Sequence, residues 1–159
     1  MEDFGIFYKN NNKKLFSYLM RISGDYHLSM DIMQESFTRY FERYAKETRN
    51  VSLLYTIARN NFLDHKRKEG KEASMEGDFE DTKASQMDLM QIKQEYRRVL
   101  SAMAKLEGGE REILALVLSS DFTYRDIASI TGTNEGNIKV KVHRARVKLR
   151  EILETGDRP

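Results

Sequence analysis

The chain has 159 residues, of which 33% are charged and 40% apolar, and Lys and Arg exceed Asp and Glu by only two, for a net charge of +2. It has no cysteine, which excludes disulfides and thiolate metal sites and fits a reducing cytoplasm. No apolar run approaches the ~20 residues of a membrane span, and the acidic, polar N-terminus is no signal peptide.

The first helix is expected from about Glu2 to Ser23, with Phe4, Tyr8, Leu15, Tyr18, Leu19 and Ile22 on its buried side and Gly24 ending it. Asn10-Asn11-Asn12 is a weak point where a kink or break is expected. The spacing of Ile32, Met33, Phe37, Tyr40, Phe41 and Tyr44 predicts a second helix over about Ser29–Ala45, which leaves His27 in a loop or cap. After a polar stretch from Lys46 to Ser52, a third helix starts near Val51. Val51, Leu54, Ile57, Ala58 and Phe62 form its core stripe. Arg59, Asn60, Asn61, Asp64, His65, Lys66, Arg67 and Lys68 form its wet side. Aromatic and basic residues this close together fit stacking on unpaired bases, but the aromatics also lie at core spacing, so simple packing is the competing reading.

Residues 69–88 change character. Acids outnumber bases seven to two and no apolar period is sustained, which predicts a flexible acidic linker. The linker divides the chain into modules 1–68 and 89–159, each near the lower size limit for independent folding. Leu89, Ile92, Tyr96, Val99, Leu100 and Met103 then give an amphipathic helix. Leu106-Glu107-Gly108-Gly109 is expected to stop it, and a further apolar helix covers Glu110 to Leu118.

The stretch from Thr123 to Leu149 reads as two helices pinned by a tight turn. Thr123 is placed to cap the first, with Asp126 as a partial capping box, and Gly132 can take the positive φ of the turn. Asn134 caps the second, whose buried stripe is Ile138, Val142, Ala145 and Leu149. Lys139, Lys141, Arg144, Arg146, Lys148 and Arg150 load its other side, with Glu135 the only acid between Asn134 and Arg150. A helix entering the major groove needs small polar residues near its N-terminus for base edges and cations for the flanking phosphates. Glu135, Gly136 and Asn137 followed by Lys139 to Arg144 fit that division. The competing reading is a solvated cationic face. No strand pattern appears, so the fold class is all-α, as two small helical domains joined by the linker.

Three motifs carry a resemblance. Asp31-Ile32-Met33-Gln34-Glu35-Ser36-Phe37 resembles the D-L-V-Q-E-x-F run of region 2.2 of the extracytoplasmic-function sigma factors of bacterial RNA polymerase. Leu54-Tyr55-Thr56-Ile57-Ala58-Arg59-Asn60 with Asp64 resembles regions 2.3 and 2.4. Leu106, Arg111-Glu112, Tyr124, Ile127-Ala128, Gly132 and the run from Gly136 to Leu149 resemble region 4. Leu53 stands where the family often has tryptophan, and Glu107-Gly108 replaces a usual proline after Leu106, which predicts a more flexible approach to region 4.

The resemblance implies a protein that binds core polymerase and directs initiation from promoters, with regions 2 and 4 only. Asp31, Gln34 and Glu35 would dock on the β′ coiled coil. Asn60, Asp64 and Arg67 would read a melted −10 element. Glu135, Asn137, Lys139, Lys141 and Arg144 would lie in the −35 major groove, with Arg146 and Lys148 nearer phosphates. Region 4 would meet the β flap, and an anti-sigma factor is a further partner that the family implies for many members. Promoter elements about 17 base pairs apart are separated by roughly 58 Å. About 19 linker residues reach roughly 63 Å only when stretched. Neither catalytic residues nor a metal or cofactor is expected, because His27, His65 and His143 are scattered and no HExxH, Walker or GxSxG frame is present. A simple regulator using only the helix-turn-helix is the alternative, but it leaves the first half without a use.

Overall fold

The computed structural model describes residues 3–70 and 94–156, and every regular element among them is an α-helix. In chain order these are α1 (Phe4–Ser23), α2 (Tyr26–Tyr44), α3 (Val51–Lys68), α4 (Gln94–Ala104), α5 (Gly108–Ser119), α6 (Tyr124–Thr131) and α7 (Glu135–Gly156). The acidic stretch expected as a linker, and the apolar positions Leu89 and Ile92, lie outside the described residues apart from Glu69 and Gly70. Among the described residues no helix is long and apolar enough to cross a membrane.

α1 ends as expected, with Gly24 in the left-handed region at φ 69° and its N–H donating to the carbonyl of Met20. It does not break at the asparagines. Asn11 is buried, and its Nδ2 donates to the Phe7 carbonyl at 2.9 Å, so the amide is satisfied by the helix it was expected to disrupt. α2 begins three residues earlier than the periodicity indicates, because the Asp25 carboxylate accepts from the Leu28 N–H at 3.0 Å. His27 therefore sits in the first turn of a helix and not in a loop. Asn50 caps α3 in the same way, through the Leu53 N–H.

The stop expected at Leu106–Gly109 is shorter than that. Gly108 and Gly109 are the first residues of α5, following Glu107 in extended conformation at φ −62°. The approach to α5 is also tied down. Buried Arg111 donates through Nε to the Met103 carbonyl at 3.1 Å and through Nη2 to the Leu106 carbonyl at 3.0 Å. The α6 cap is stronger than a partial box, since Thr123 Oγ1 accepts from the Asp126 N–H and Asp126 Oδ2 from the Thr123 N–H. Gly132 takes φ 76° at the turn, and Asn134 Oδ1 accepts from the Asn137 N–H at 2.9 Å to start α7.

The two groups of helices do not stand apart. One continuous apolar core runs from Phe7, Tyr18 and Tyr40 through Leu54 and Tyr55 to Leu114, Leu116, Ile127 and Ile138. α5 is the centre of this packing. It lies against α1 on one side and α7 on the other, while α6 packs on α3. Ile113 to Leu116 are all buried because a helix covered on two sides needs apolar residues around most of its circumference.

Candidate nucleic-acid interface

α7 holds the expected core stripe: Ile138, Val142 and Ala145 are at most 1% exposed, with Leu149 partly covered. All seven residues assigned to the −35 contact are exposed. They do not, however, form the outermost line of the helix. Two positions along an α-helix turn it by about 200°. The residues two back from the core stripe, Gly136, Val140, His143 and Val147, therefore face directly away from the core. Lys139 and Arg146, with Glu135, flank this ridge on one side, and Asn137, Lys141, Arg144 and Lys148 flank it on the other. The cations thus form two rails beside a ridge that carries no Lys or Arg and on which Val140 and Val147 are 49% and 39% exposed. Sequence reading by charge missed the ridge, although the i, i+4, i+7, i+11 spacing offset from the core marks it.

Two of the assigned side chains are already engaged. Lys148 Nζ lies 2.7 Å from Glu110 Oε1 on α5, and that hydrogen bond holds the lysine above its ordinary pKa. Asn137 Nδ2 donates to Thr133 Oγ1 at 3.1 Å across the turn.

On α3, Asn60, Asp64 and Arg67 share one face at i, i+4, i+7, and Arg67 pairs with Asp64 at 2.8 Å. The rest of the expected wet side divides. Asn61 is buried, donating from Nδ2 to Ser36 Oγ at 3.1 Å and accepting from Arg39 Nη1 at 2.6 Å. Lys66 is buried as well, its ammonium 5.2 Å from the centre of the Phe62 ring, so its stem covers the core. Tyr55 and Phe62 are at most 2% exposed, which assigns them to packing.

Asp31, Gln34 and Glu35 lie exposed on one face of α2. Glu35 Oε1 meets Arg39 Nη2 at 2.7 Å, so Arg39 links this carboxylate to buried Asn61. The structure brings Asp31 and Glu35 to a groove between α2 and α3 that Asp64 also lines. The acids of the α2 face and the candidate −10 face are therefore neighbours.

Arg59 turns toward the other helices. Its Nε donates to Glu112 Oε2 on α5 at 2.6 Å, and Tyr18 Oη donates to the same oxygen at 3.2 Å. Burial pulls the Arg59 pKa down, but the Glu112 hydrogen bond and charge outweigh it and the net shift is upward. Tyr18 is pushed well above the ordinary phenol value, first by burial and then by the Glu112 charge. Burial also raises Tyr55, whose ring meets Phe122 edge-on at 4.8 Å. Arg21 Nη1 reaches Ser119 Oγ at 3.3 Å. Arg111 Nη1 approaches the Ile22 carbonyl near the C-terminus of α1, where a cation is favoured by the helix dipole. Arg111 and Glu112, whose sequence motif points only to region 4, thus join the two halves.

An N-capped, cation-railed second helix after a glycine turn defines a helix-turn-helix protein built to meet nucleic acid. The family model for Sigma-70 region 2 matches residues 7–72, and that for Sigma-70, region 4 matches residues 96–149. The extracytoplasmic-function (ECF) RNA polymerase sigma factor EcfG of Rhodopseudomonas palustris (strain TIE-1) is 32% identical over 143 residues, covering 87% of this chain and 78% of that protein. ECF RNA polymerase sigma factor SigM of Bacillus subtilis (strain 168) is 29% identical over 150 residues, covering 89% and 90%. The fold is similar to the sigma factor RpoE from Bartonella quintana, solved in complex with the anti-sigma factor NepR. The TM-score is 0.70 at 24% identity, over 99% of this chain and 100% of that one. The chain belongs to the ECF RNA polymerase sigma factors.

Proposed function

We propose that this chain docks on core polymerase through Asp31, Gln34 and Glu35, reads a −10 element with Asn60, Asp64 and Arg67, and reads a −35 element with α7. The observation that carries the reading is the pairing of two exposed reading faces on one chain of the sigma family. Acids on the α2 face suit a basic coiled coil of β′, and region 4 is left to meet the β flap. Extracting a base from the −10 duplex costs a few kcal/mol. Phosphate contacts made once polymerase holds the DNA would have to offset that cost, because the α3 aromatics offer no exposed ring for a base to stack on. With Tyr55 and Phe62 buried, partly exposed Leu53 and the polar face at Asn60 are the surfaces left for such a base.

The described arrangement is a closed form in this reading. α3 packs on α6 and α6 packs on α7, so the two reading helices lie within about two helix spacings, ~20 Å, against roughly 58 Å between promoter elements. The halves must part for both elements to be read at once. An anti-sigma partner, as in the solved relative, would act on that equilibrium by holding the closed form.

The test is binding to core RNA polymerase and initiation on a promoter-fragment library, wild type beside a Gln34→Ala, Glu35→Ala double variant. The expected result is a common pair of spaced motifs upstream of the starts, with docking lost in the variant. Tight binding to duplex DNA with indifference to polymerase would replace this reading with that of a simple regulator.

A further inference from the structure

We infer that Val140 is a base-reading residue of the −35 contact, and that it recognises the 5-methyl group of a thymine. The inference rests on the −35 reading proposed above and adds the chemistry of one contact. Val140 stands on the ridge of α7 opposite the core, 49% exposed, between cationic rails formed by Lys139 and Arg146 on one side and Lys141 and Arg144 on the other. Rails of this sign place the ridge toward the floor of a groove whose two walls are phosphates. Lone exposed apolar residues are common on protein surfaces. This one occupies the line that must approach base edges most closely if the helix enters the groove at all.

The ridge begins at Gly136, at the second position of the helix. A Cβ added there would meet only the Asn134 side-chain oxygen, at 3.4 Å. Glycine is therefore not required by the fold at this point, and its effect is to lower the profile of the helix end. Val140 follows about 6 Å along the axis and is the first side chain on the ridge, whereas Val147 lies about 16 Å from Gly136. An isopropyl group offers no hydrogen bond. Of the groups that base pairs present in the major groove, the thymine methyl is the apolar one.

The experiment uses the full chain as holoenzyme on promoters it has itself selected from a library. Single thymidines of the upstream motif, on either strand, are replaced by deoxyuridine, which removes the methyl and nothing else. The expected result is one position where the replacement weakens wild-type binding about fourfold, the worth of one buried methyl group. Val140→Ala should lose about as much on the thymidine promoter and become indifferent to uridine at that position. Val140→Asn should shift the base selected there from thymine toward adenine, which an amide pairs with. If uridine costs nothing at any position, or costs wild type and Val140→Ala equally, the inference is overturned while the −35 reading stands. If wild-type holoenzyme selects no upstream motif, both fall. Melting temperatures of the variants, measured alongside, exclude a folding defect as the cause.

Discussion

Replacing Glu112 with alanine should open the closed form. The carboxylate accepts from Arg59 and Tyr18, and both donors come from the other group of helices. Both bonds are to a carboxylate, and a hydrogen bond to a charged group contributes about 1.5–3 kcal/mol. Arg59 keeps 22% of its side chain in solvent, so water recovers part of its loss and the lower half of that range applies to it. The 3.2 Å length of the Tyr18 bond places it near the low end as well, so the total is about 3–4 kcal/mol, or several hundredfold in the ratio of closed to open molecules. The chain has no cysteine, so donor and acceptor dyes can be placed cleanly at Thr38→Cys and Glu154→Cys, both at exposed positions. Energy transfer should fall in Glu112→Ala, and in Arg59→Ala by less, since Tyr18 still has its acceptor. The double variant should show a coupling of about 1.5–2 kcal/mol. If Glu112→Ala lowers the melting temperature while transfer stays at the wild-type value, the carboxylate serves the fold of its own helices. The closed form would then be held by something else.

Other consequences can be measured on the same protein. Asn61→Ala removes the buried amide that joins Ser36 to Arg39 and should cost about 2–3 kcal/mol in denaturant unfolding. It should also weaken polymerase docking, because Arg39 then loses the anchor from which it holds Glu35. Thr123→Ala removes one half of the capping box on α6 and should cost about 1 kcal/mol. Tyr18 and Tyr55 have raised pKa values when folded. Their contribution is fully present below the unfolded value near 10 and is lost as pH rises beyond it, because the unfolded chain then releases protons that the folded one keeps. Each contributes a slope of about 1.4 kcal/mol per pH unit above pH 10. A Tyr55→Phe variant should therefore show a shallower alkaline unfolding profile, with equal stability at pH 7 or a gain, since the Tyr55 hydroxyl has no hydrogen-bond partner among the described residues.

The sequence by itself determined the local elements. Caps at Thr123 and Asn134, the positive-φ turn at Gly132 and the stripe at Ile138, Val142 and Ala145 are short-range features whose causes lie within a few residues. The family motifs were legible for a similar reason, since those of region 2 each sit on one helix and that of region 4 runs through three consecutive ones. Where local reading failed, a side-chain contact that propensity and polarity do not register had decided the outcome. Asn11 was judged by helix propensity, but its amide is satisfied by a carbonyl one turn back. The glycines at 108 and 109 were read as a stop, yet the Arg111 guanidinium fastens that corner to Met103 and Leu106. Asn61 and Lys66 were assigned to solvent by polarity, but α2 brings Ser36 and Arg39 to the amide, and the Phe62 ring one turn back on α3 lies under the ammonium.

Tertiary structure alone decided how the halves meet. Arg59 and Glu112 are 53 positions apart, and Tyr18 and Glu112 are 94 apart. No periodicity can link residues across such intervals. It also separated the basic helix into two rails and a ridge, because a charge count carries no direction until the core fixes which side of the helix is buried.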